Sequence, residues 1–307
     1  MRPQAPAVCP RRASRTQSSP AIKGHSKSYP VNPIQRAGPA GAGRYCCGGT
    51  PVPLYLDHPL PLAFAHRGGA LAGRENTAAA FERAVGLGYR YVETDVHLTA
   101  DGVLVAFHDS TLDRVTDRTG VISELPWAQV KRARIGGAEP IPLLEDLLGA
   151  WPDLRFNIDP KADASVGPLV EAIRRTNALD RVCLGSFSGR RLGMARAALG
   201  SRLCTSTGPR EVAALRFGSW LLLPPPGANG RSPRVPCVQI PTAQNGIPIG
   251  DARLIRRAHA LGMQVHIWTV DDPAEMRRLL DLGVDGIMTD DLETLRSVYQ
   301  ERGLWPS

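Results

Sequence analysis

Three short stretches carry ionisable side chains where apolar strands should simply end. His66-Arg67-Gly68-Gly69 follows Leu62-Ala63-Phe64-Ala65, Glu93-Thr94-Asp95 follows Tyr91-Val92, and Asn157-Ile158-Asp159-Pro160-Lys161 follows Leu154 and Phe156. Burying charge costs several kcal/mol unless it is paired or bound to a metal, so three such strand ends argue for a built site. Glu93 and Asp95 are two residues apart and share one side of a strand, as do Asn157, Asp159 and Lys161. Three carboxylates converging from neighbouring strands repel one another unless a cation sits among them. An all-oxygen donor set of Glu93, Asp95 and Asp159 selects one hard divalent cation, Mg²⁺ or Ca²⁺, over zinc. His66 and His108, each at a strand end beside a charged neighbour, suit acid–base work on a phosphate ester. Arg67 and Lys161 could hold phosphoryl oxygens and stabilise charge in the transition state.

Such a site needs elements that bring distant strand ends to one place. From residue 62 onward, short apolar runs alternate with helix-like segments, the signature of βα units and a parallel sheet. Strands are expected at 62–67, 91–97, 103–108, 154–159, 182–187, 202–206, 235–240, 264–270 and 284–289. Helices are expected at 76–87, 142–150, 164–177, 188–199, 209–217, 250–261, 272–282 and 291–301. Asn76-Thr77 opens the first helix; Asp272-Pro273 opens the seventh and Gly283 closes it. Nine strands exceed a barrel of eight, and 103–108 is the odd one. Thr99-Ala100-Asp101-Gly102 reads as a hairpin turn, which makes that strand antiparallel and the start of an insertion, roughly 98–141. The remaining pattern is α/β, a (β/α)8 TIM barrel with a small insertion after the second barrel strand. In that fold the C-terminal strand ends share one mouth.

The bulk composition narrows the classes. The chain has 307 residues, 43% of them hydrophobic, enough for one barrel of about 250 residues. No apolar run approaches the roughly 20 residues of a membrane-spanning helix. Of 37 Lys and Arg, eight lie within residues 1–50, which hold no Asp or Glu; residues 51–307 then carry 29 of each sign. The folded part is therefore neutral, and no nucleic-acid binding by it is expected. Residues 1–53 read as a disordered, basic, Pro/Gly/Ser-rich extension, either a genuine tail or the product of a start set too far upstream. The barrel is expected over 54–303. No secretory h-region is legible, so the expectation is a cytoplasmic enzyme without a transmembrane segment. The six cysteines form no CxxC pair, and Cys183, Cys204 and Cys237 read as small buried thiols rather than a zinc site.

With these residues in hand a resemblance appears. His66-Arg67-Gly68, Glu75-Asn76-Thr77, Glu93-x-Asp95-Val96, Asp101-Gly102 and His108-Asp109 resemble the signature of the glycerophosphodiester phosphodiesterase family. So do Ile141-Pro142-Leu143-Leu144-Glu145, Trp268-Thr269-Val270 and Gly283–Asp290. The resemblance covers about 62–300. It implies a TIM barrel with a small insertion, metal ligands at Glu93, Asp95 and Asp159, and His66 with His108 as acid and base. Two positions depart from the family pattern. Asp159 stands where a Glu is common, shortening one ligand by a methylene, and Asp271 stands where an Asn often follows Trp-Thr-Val; it reads as a helix N-cap.

The expected reaction is metal-dependent hydrolysis of a small-molecule glycerophosphodiester to glycerol 3-phosphate and an alcohol. Trp268 is expected to pack against the glycerol or alcohol part. Gln239 is a weaker candidate for ligand contact, Asn76 reads as the N-cap of the first helix although the family resemblance places it near the site, and His97 reads as an outer-rim residue. The alternative within the same chemistry is a phosphodiesterase of lysophospholipid or sphingolipid headgroups that passes through a cyclic phosphate. Little apolar surface is legible around the mouth, which favours the water-soluble diester. A non-enzymatic scaffold whose basic tail engages an anionic partner is the remaining class, and the complete catalytic set argues against it. Oligomeric state is not legible.

Overall fold

The computed structural model describes residues 53–59, 61–70, 73–220, 235–244 and 246–305. The basic extension expected at 1–53 lies outside the described residues, apart from its last one. Eight parallel strands run in sequence: β1 (Leu62–Ala65), β2 (Tyr91–Leu98), β3 (Arg155–Pro160), β4 (Val182–Leu184), β5 (Cys204–Thr205), β6 (Cys237–Pro241), β7 (Gln264–Trp268) and β8 (Gly286–Thr289). Each pairs with its chain neighbour, and β1 also pairs with β8. A parallel bridge between Ser206 and Cys237 brings β5 to β6 and completes the ring. The expected (β/α)8 barrel is therefore present.

Its strands show why the pattern was legible. Residues pointing outward, such as Val92, Phe156, Ile158, Leu184, Val238, Ile240, Val265 and Ile287, are buried under the helices. The barrel helices are α1 (Ala78–Gly86), α2 (Leu144–Ala150), α3 (Val166–Arg175), α4 (Gly189–Leu199), α5 (Pro209–Trp220), α6 (Ala252–Ala260), α7 (Pro273–Asp281) and α8 (Leu292–Glu301). Side-chain caps start several of them: Thr77, Ser188, Asp251, Asp272 and Asp291 each accept a hydrogen bond from a backbone N–H of the first turn, satisfying donors that helix geometry leaves free. The first cap is thus Thr77, and Asn76 is free for other work. No described helix is long and apolar enough to cross a membrane.

Inward-pointing residues change character along the barrel. At the N-terminal end Leu62, Phe64, Tyr91, Cys183, Cys204, Cys237 and Met288 pack with Tyr55 and Leu56. The three thiols lie on consecutive strands, with their sulfurs within 4.8 Å of one another, so they form one cluster rather than three separate fillers. Nearer the C-terminal end the same faces carry Glu93, Asp95, Asn157 and Asp159. Register places Glu93 beside Asn157 and Asp95 beside Asp159.

The hairpin reading also holds. Leu104–Ala106 pairs antiparallel with β2, matching Leu98 to Leu104 and Val96 to Ala106, and Gly102 takes the positive φ of 83° that the turn needs. The inserted segment has its own small core of Val105, Phe107, Leu112, Ile122, Val130, Ala133, Ile135 and Ile141. It can therefore present side chains as a rigid unit rather than as a mobile loop.

After β1 the chain turns sharply through Arg67, Gly68 and Gly69, with φ of 52°, 80° and 96°. A Cβ on Gly68 would lie 2.9 Å from the Ala80 Cβ and 3.1 Å from backbone atoms of Ala80 and Phe81. Gly68→Ala should thus cost about 1–3 kcal/mol, from clash and strained backbone together. A urea midpoint equal to wild type would show that this turn is not held as described.

Candidate active site

The C-terminal ends of β1, β2 and β3 and the end of the inserted hairpin open into one cavity of about 440 Å³. All eight residues expected to do chemistry, His66, Arg67, Glu93, Asp95, His108, Asp159, Lys161 and Trp268, line it. The sequence reading of the site is therefore one place in space.

Each histidine has one nitrogen held by a carboxylate. His66 Nδ1 lies 2.7 Å from Asp290 Oδ1, and His108 Nδ1 lies 2.6 Å from Asp109 Oδ1. In each pair the Nδ1–H donates, which leaves Nε2 as the nitrogen available for proton transfer. Burial alone would lower His66, but the Asp290 hydrogen bond and the Glu93 charge outweigh it and raise its pKa. The His66 Nε2 lies 3.8 Å from Glu93 Oε2.

Glu93 and Asp95 are both buried, and their carboxyl groups are held differently. Glu93 accepts from the Arg67 backbone N–H at 3.2 Å. Asp95 accepts from Asn76 Nδ2 at 3.2 Å and pairs with Lys161 at 2.7 Å and Arg67 at 3.4 Å. Burial and the Asp95 charge push Glu93 up to about 8. Asp95 goes the other way: burial would raise it, but Lys161, His108 and Arg67 outweigh burial and lower it. Lys161 also pairs with Asp159 at 2.8 Å. Burial keeps the Asp159 carboxyl above its usual range despite that lysine.

Asp159 Oδ1 is buried and has no hydrogen-bond partner. An orphaned carboxylate oxygen beside two more carboxylates fits a ligand set for a hard cation. Glu93, Asp95 and Asp159 are the residues that would hold one, and in this structure the Lys161 ammonium bridges Asp95 and Asp159.

Four readings need correction. Asn76 is not the helix cap: it is fully buried with φ of 57°, accepts from Thr94 Oγ1 at 2.7 Å, and aims its amide at Asp95. His97 is not on the outer rim. It is buried, and its Nε2 lies 3.0 Å from the carbonyl oxygen of His108, so it fastens the backbone that carries that histidine. Asp271 is not a helix cap, since Asp272 takes that place. Its Oδ1 instead accepts from Thr289 Oγ1 at 2.8 Å and from the backbone N–H groups of Asp290 and Asp291, shaping the turn that presents Asp290.

The fourth correction concerns the mouth. One wall of the cavity is apolar: Phe187 (67% exposed) and Phe217 (60%) stand with Trp220, Val212, Ile249 and Trp268. Phe187 and Trp268 meet edge to face at 5.7 Å. Helix α5 supplies much of this wall, and its exposed aromatic residues are a turn apart, a pattern that sequence alone assigns to helix packing. Gln239 also lines the cavity but gives its amide to Asn157 Oδ1 at 3.2 Å.

Two further residues were not singled out. Asp290 ends β8 as charged residues end β1, β2 and β3, so the same signal was present. Arg114 lies within the insertion, six residues after His108, where no periodicity marks it.

Comparison with known proteins places this geometry. The profile of the "Glycerophosphoryl diester phosphodiesterase family" matches residues 66–294. A Mycobacterium tuberculosis protein named "Probable glycerophosphodiester phosphodiesterase 2" is 42% identical over 263 residues, covering 84% of this chain and 98% of that protein. A human lysophospholipase D is 28% identical and covers 74% of this chain and 82% of its own length. Among solved structures, an Oleispira antarctica phosphodiesterase in complex with the product sn-glycerol-3-phosphate superposes with a TM-score of 0.65 at 24% identity, covering 78% of this chain and 97% of that one. An Agrobacterium tumefaciens glycerophosphodiester phosphodiesterase gives a TM-score of 0.63 at 21% identity, covering 78% and 100%.

The carboxylate electrostatics predict a pH effect on stability. Glu93 is raised from 4.5 to about 8 in the folded chain. Between those values the folded protein keeps a proton that the unfolded chain has released, so stability falls as pH rises. Chelator-treated protein should have a lower urea midpoint near pH 8 than near pH 6, and Glu93→Gln should flatten that slope. An unchanged slope in the variant would refute the assignment of the proton to Glu93.

Proposed function

As the chain belongs to the glycerophosphoryl diester phosphodiesterase family, and is a phosphoric diester hydrolase, we propose that it cleaves glycerophosphodiesters to glycerol 3-phosphate and an alcohol by acid–base catalysis between His66 and His108. The observation that carries this reading is the matched pair of histidines in one cavity, each with Nδ1 held by its own carboxylate. One Nε2 takes the proton of the attacking hydroxyl or water, and the other returns a proton to the leaving alkoxide. Arg67 and Lys161 hold the phosphoryl oxygens between them. Glu93, Asp95 and Asp159 would hold a single hard divalent cation, Mg²⁺ or Ca²⁺. When bound, that ion supplies positive charge to the phosphoryl group and relieves the repulsion among the three carboxylates. Trp268 packs against the carbon skeleton of the substrate.

The apolar wall supports a second reading, in which the diester carries an acyl chain that lies along Phe187 and Phe217. An internal hydroxyl then attacks phosphorus, giving its proton to one histidine Nε2, and the bond from phosphorus to the headgroup oxygen breaks; the headgroup leaves as an alcohol protonated by the other histidine, and a cyclic phosphate results. Phosphorus NMR of products from glycerophosphocholine and from lysophosphatidylcholine separates the two. Cyclic product from the lysolipid, with glycerophosphocholine untouched, would favour the second reading over the first.

His66→Ala and His108→Ala should each lower kcat on glycerophosphocholine by about 10²–10⁴. Chelation should abolish turnover, and Mg²⁺ or Ca²⁺ should restore it. Near-normal kcat in both variants, with the cation present, would sink the proposed mechanism.

A further inference from the structure

Besides its strand pairing with β2, the inserted segment makes a side-chain link to the barrel through Arg114, and that link runs through both proposed chemical groups. Arg114 lies in the insertion and forks between two carboxylates. Its Nε donates to Asp109 Oδ2 at 2.6 Å and its Nη2 to Asp109 Oδ1 at 3.0 Å. On the other side Nη1 donates to Glu75 Oε2 at 2.9 Å and Nη2 to Glu75 Oε1 at 2.6 Å. Asp109 is the partner of His108 Nδ1. Glu75, buried at 6% exposure, also accepts from Arg67 Nη1 at 3.0 Å. A chain of alternating groups therefore links His108 to Asp109, Arg114, Glu75 and Arg67.

We infer that Arg114 is a positioning residue that sets the orientation of His108, on the insertion, against Arg67, on the barrel. The inference rests on the roles proposed above for those two groups.

The chemistry of the link favours orientation over stability. The Arg114 side chain is 49% exposed, so solvent screens its charge and an exposed pair adds little to folding. Its value lies in the fork: a planar guanidinium fixes the planes of two carboxylates at once, which a point charge cannot do. Asp109 bonded on both oxygens cannot rotate, and its plane in turn holds the His108 ring. His97 supports the same residue from behind, through the His108 carbonyl. Without Arg114, Asp109 and Glu75 would face each other with no cation between them. Their repulsion would turn the Asp109 carboxylate away from Glu75, and the His108 ring bonded to it would turn as well.

This predicts a loss of rate coupled to His108. With full-length protein, saturating divalent cation and glycerophosphocholine, Arg114→Gln should lower kcat about 10–100-fold, the range for residues that orient an active group. Arg114→Lys should fall between Arg114→Gln and wild type, since one ammonium cannot fork two carboxylates. Asp109→Asn, which cuts the same link at its other end, should resemble Arg114→Gln. The deciding measurement is the double variant Arg114→Gln/His108→Ala. If Arg114 acts through His108, the double should lie within about twofold of His108→Ala alone. A double variant whose losses multiply, or an Arg114→Gln enzyme as fast as wild type, would overturn the inference. If Arg114→Gln does not fold, judged by circular dichroism, Arg114→Lys/His108→Ala carries the same test. Normal turnover in His108→Ala would instead remove the proposed mechanism, and the inference with it.

Discussion

The structure depends on keeping buried charge in balance at one end of a barrel. Glu93, Asp95 and Asp159 crowd the inner face of two adjacent strands, and Lys161 and Arg67 are drawn in against them. Desolvating three carboxylates without compensation would cost more than the marginal stability of a domain can absorb. Every nearby device serves this balance. Asn76 gives its amide to Asp95, the Arg67 backbone gives its N–H to Glu93, and Glu93 keeps a proton to higher pH than an exposed carboxyl would. The same arrangement that is expensive to bury is well matched to a doubly charged ion and a phosphate ester. Folding and chemistry therefore make opposite demands on these residues, and the positive side chains reconcile them.

Around this charged end the molecule divides its surfaces by chemistry. The barrel interior below it is apolar and filled with Leu62, Phe64, Tyr91, Met288 and three thiols, a low-dielectric floor that strengthens the interactions above it. To one side stands the aromatic wall carried by α5 and the turn after β4. To the other stands the insertion, whose own small core lets it act as a fixed arm. The cavity thus has a polar end suited to the phosphoryl group and an apolar flank suited to carbon. Its two histidines enter from different parts of the chain: His66 directly from β1, His108 from the hairpin that β2 sends out.

Much of this was legible because the relevant signals are local. Alternating apolar runs located all eight barrel strands. Asp101-Gly102 identified the one strand that could not be parallel, and the i, i+2 spacing of Glu93 and Asp95 gave their common face. What failed was local in another sense. Asn76 and Asp271 carry cap-forming side chains beside helix starts, and sequence reasoning assigned each to its nearest helix. In both cases the next residue, Thr77 or Asp272, makes the cap, which frees the first to bind a partner distant in sequence. His97 was similarly misplaced because nothing in the sequence says which turn carbonyl lies behind it.

The sequence by itself determined the barrel, the insertion and the eight side chains that meet at the mouth, because periodicity and strand ends encode direction along one element at a time. Only the tertiary structure decided what those side chains touch. The pairing of His66 with Asp290 spans 224 residues and that of Arg114 with Glu75 spans 39. The aromatic wall likewise needs α5, the turn after β4 and β7 to be placed side by side. Such contacts are set by barrel closure and by where the insertion packs. Their free energies depend on distance and burial, which no spacing along the chain specifies.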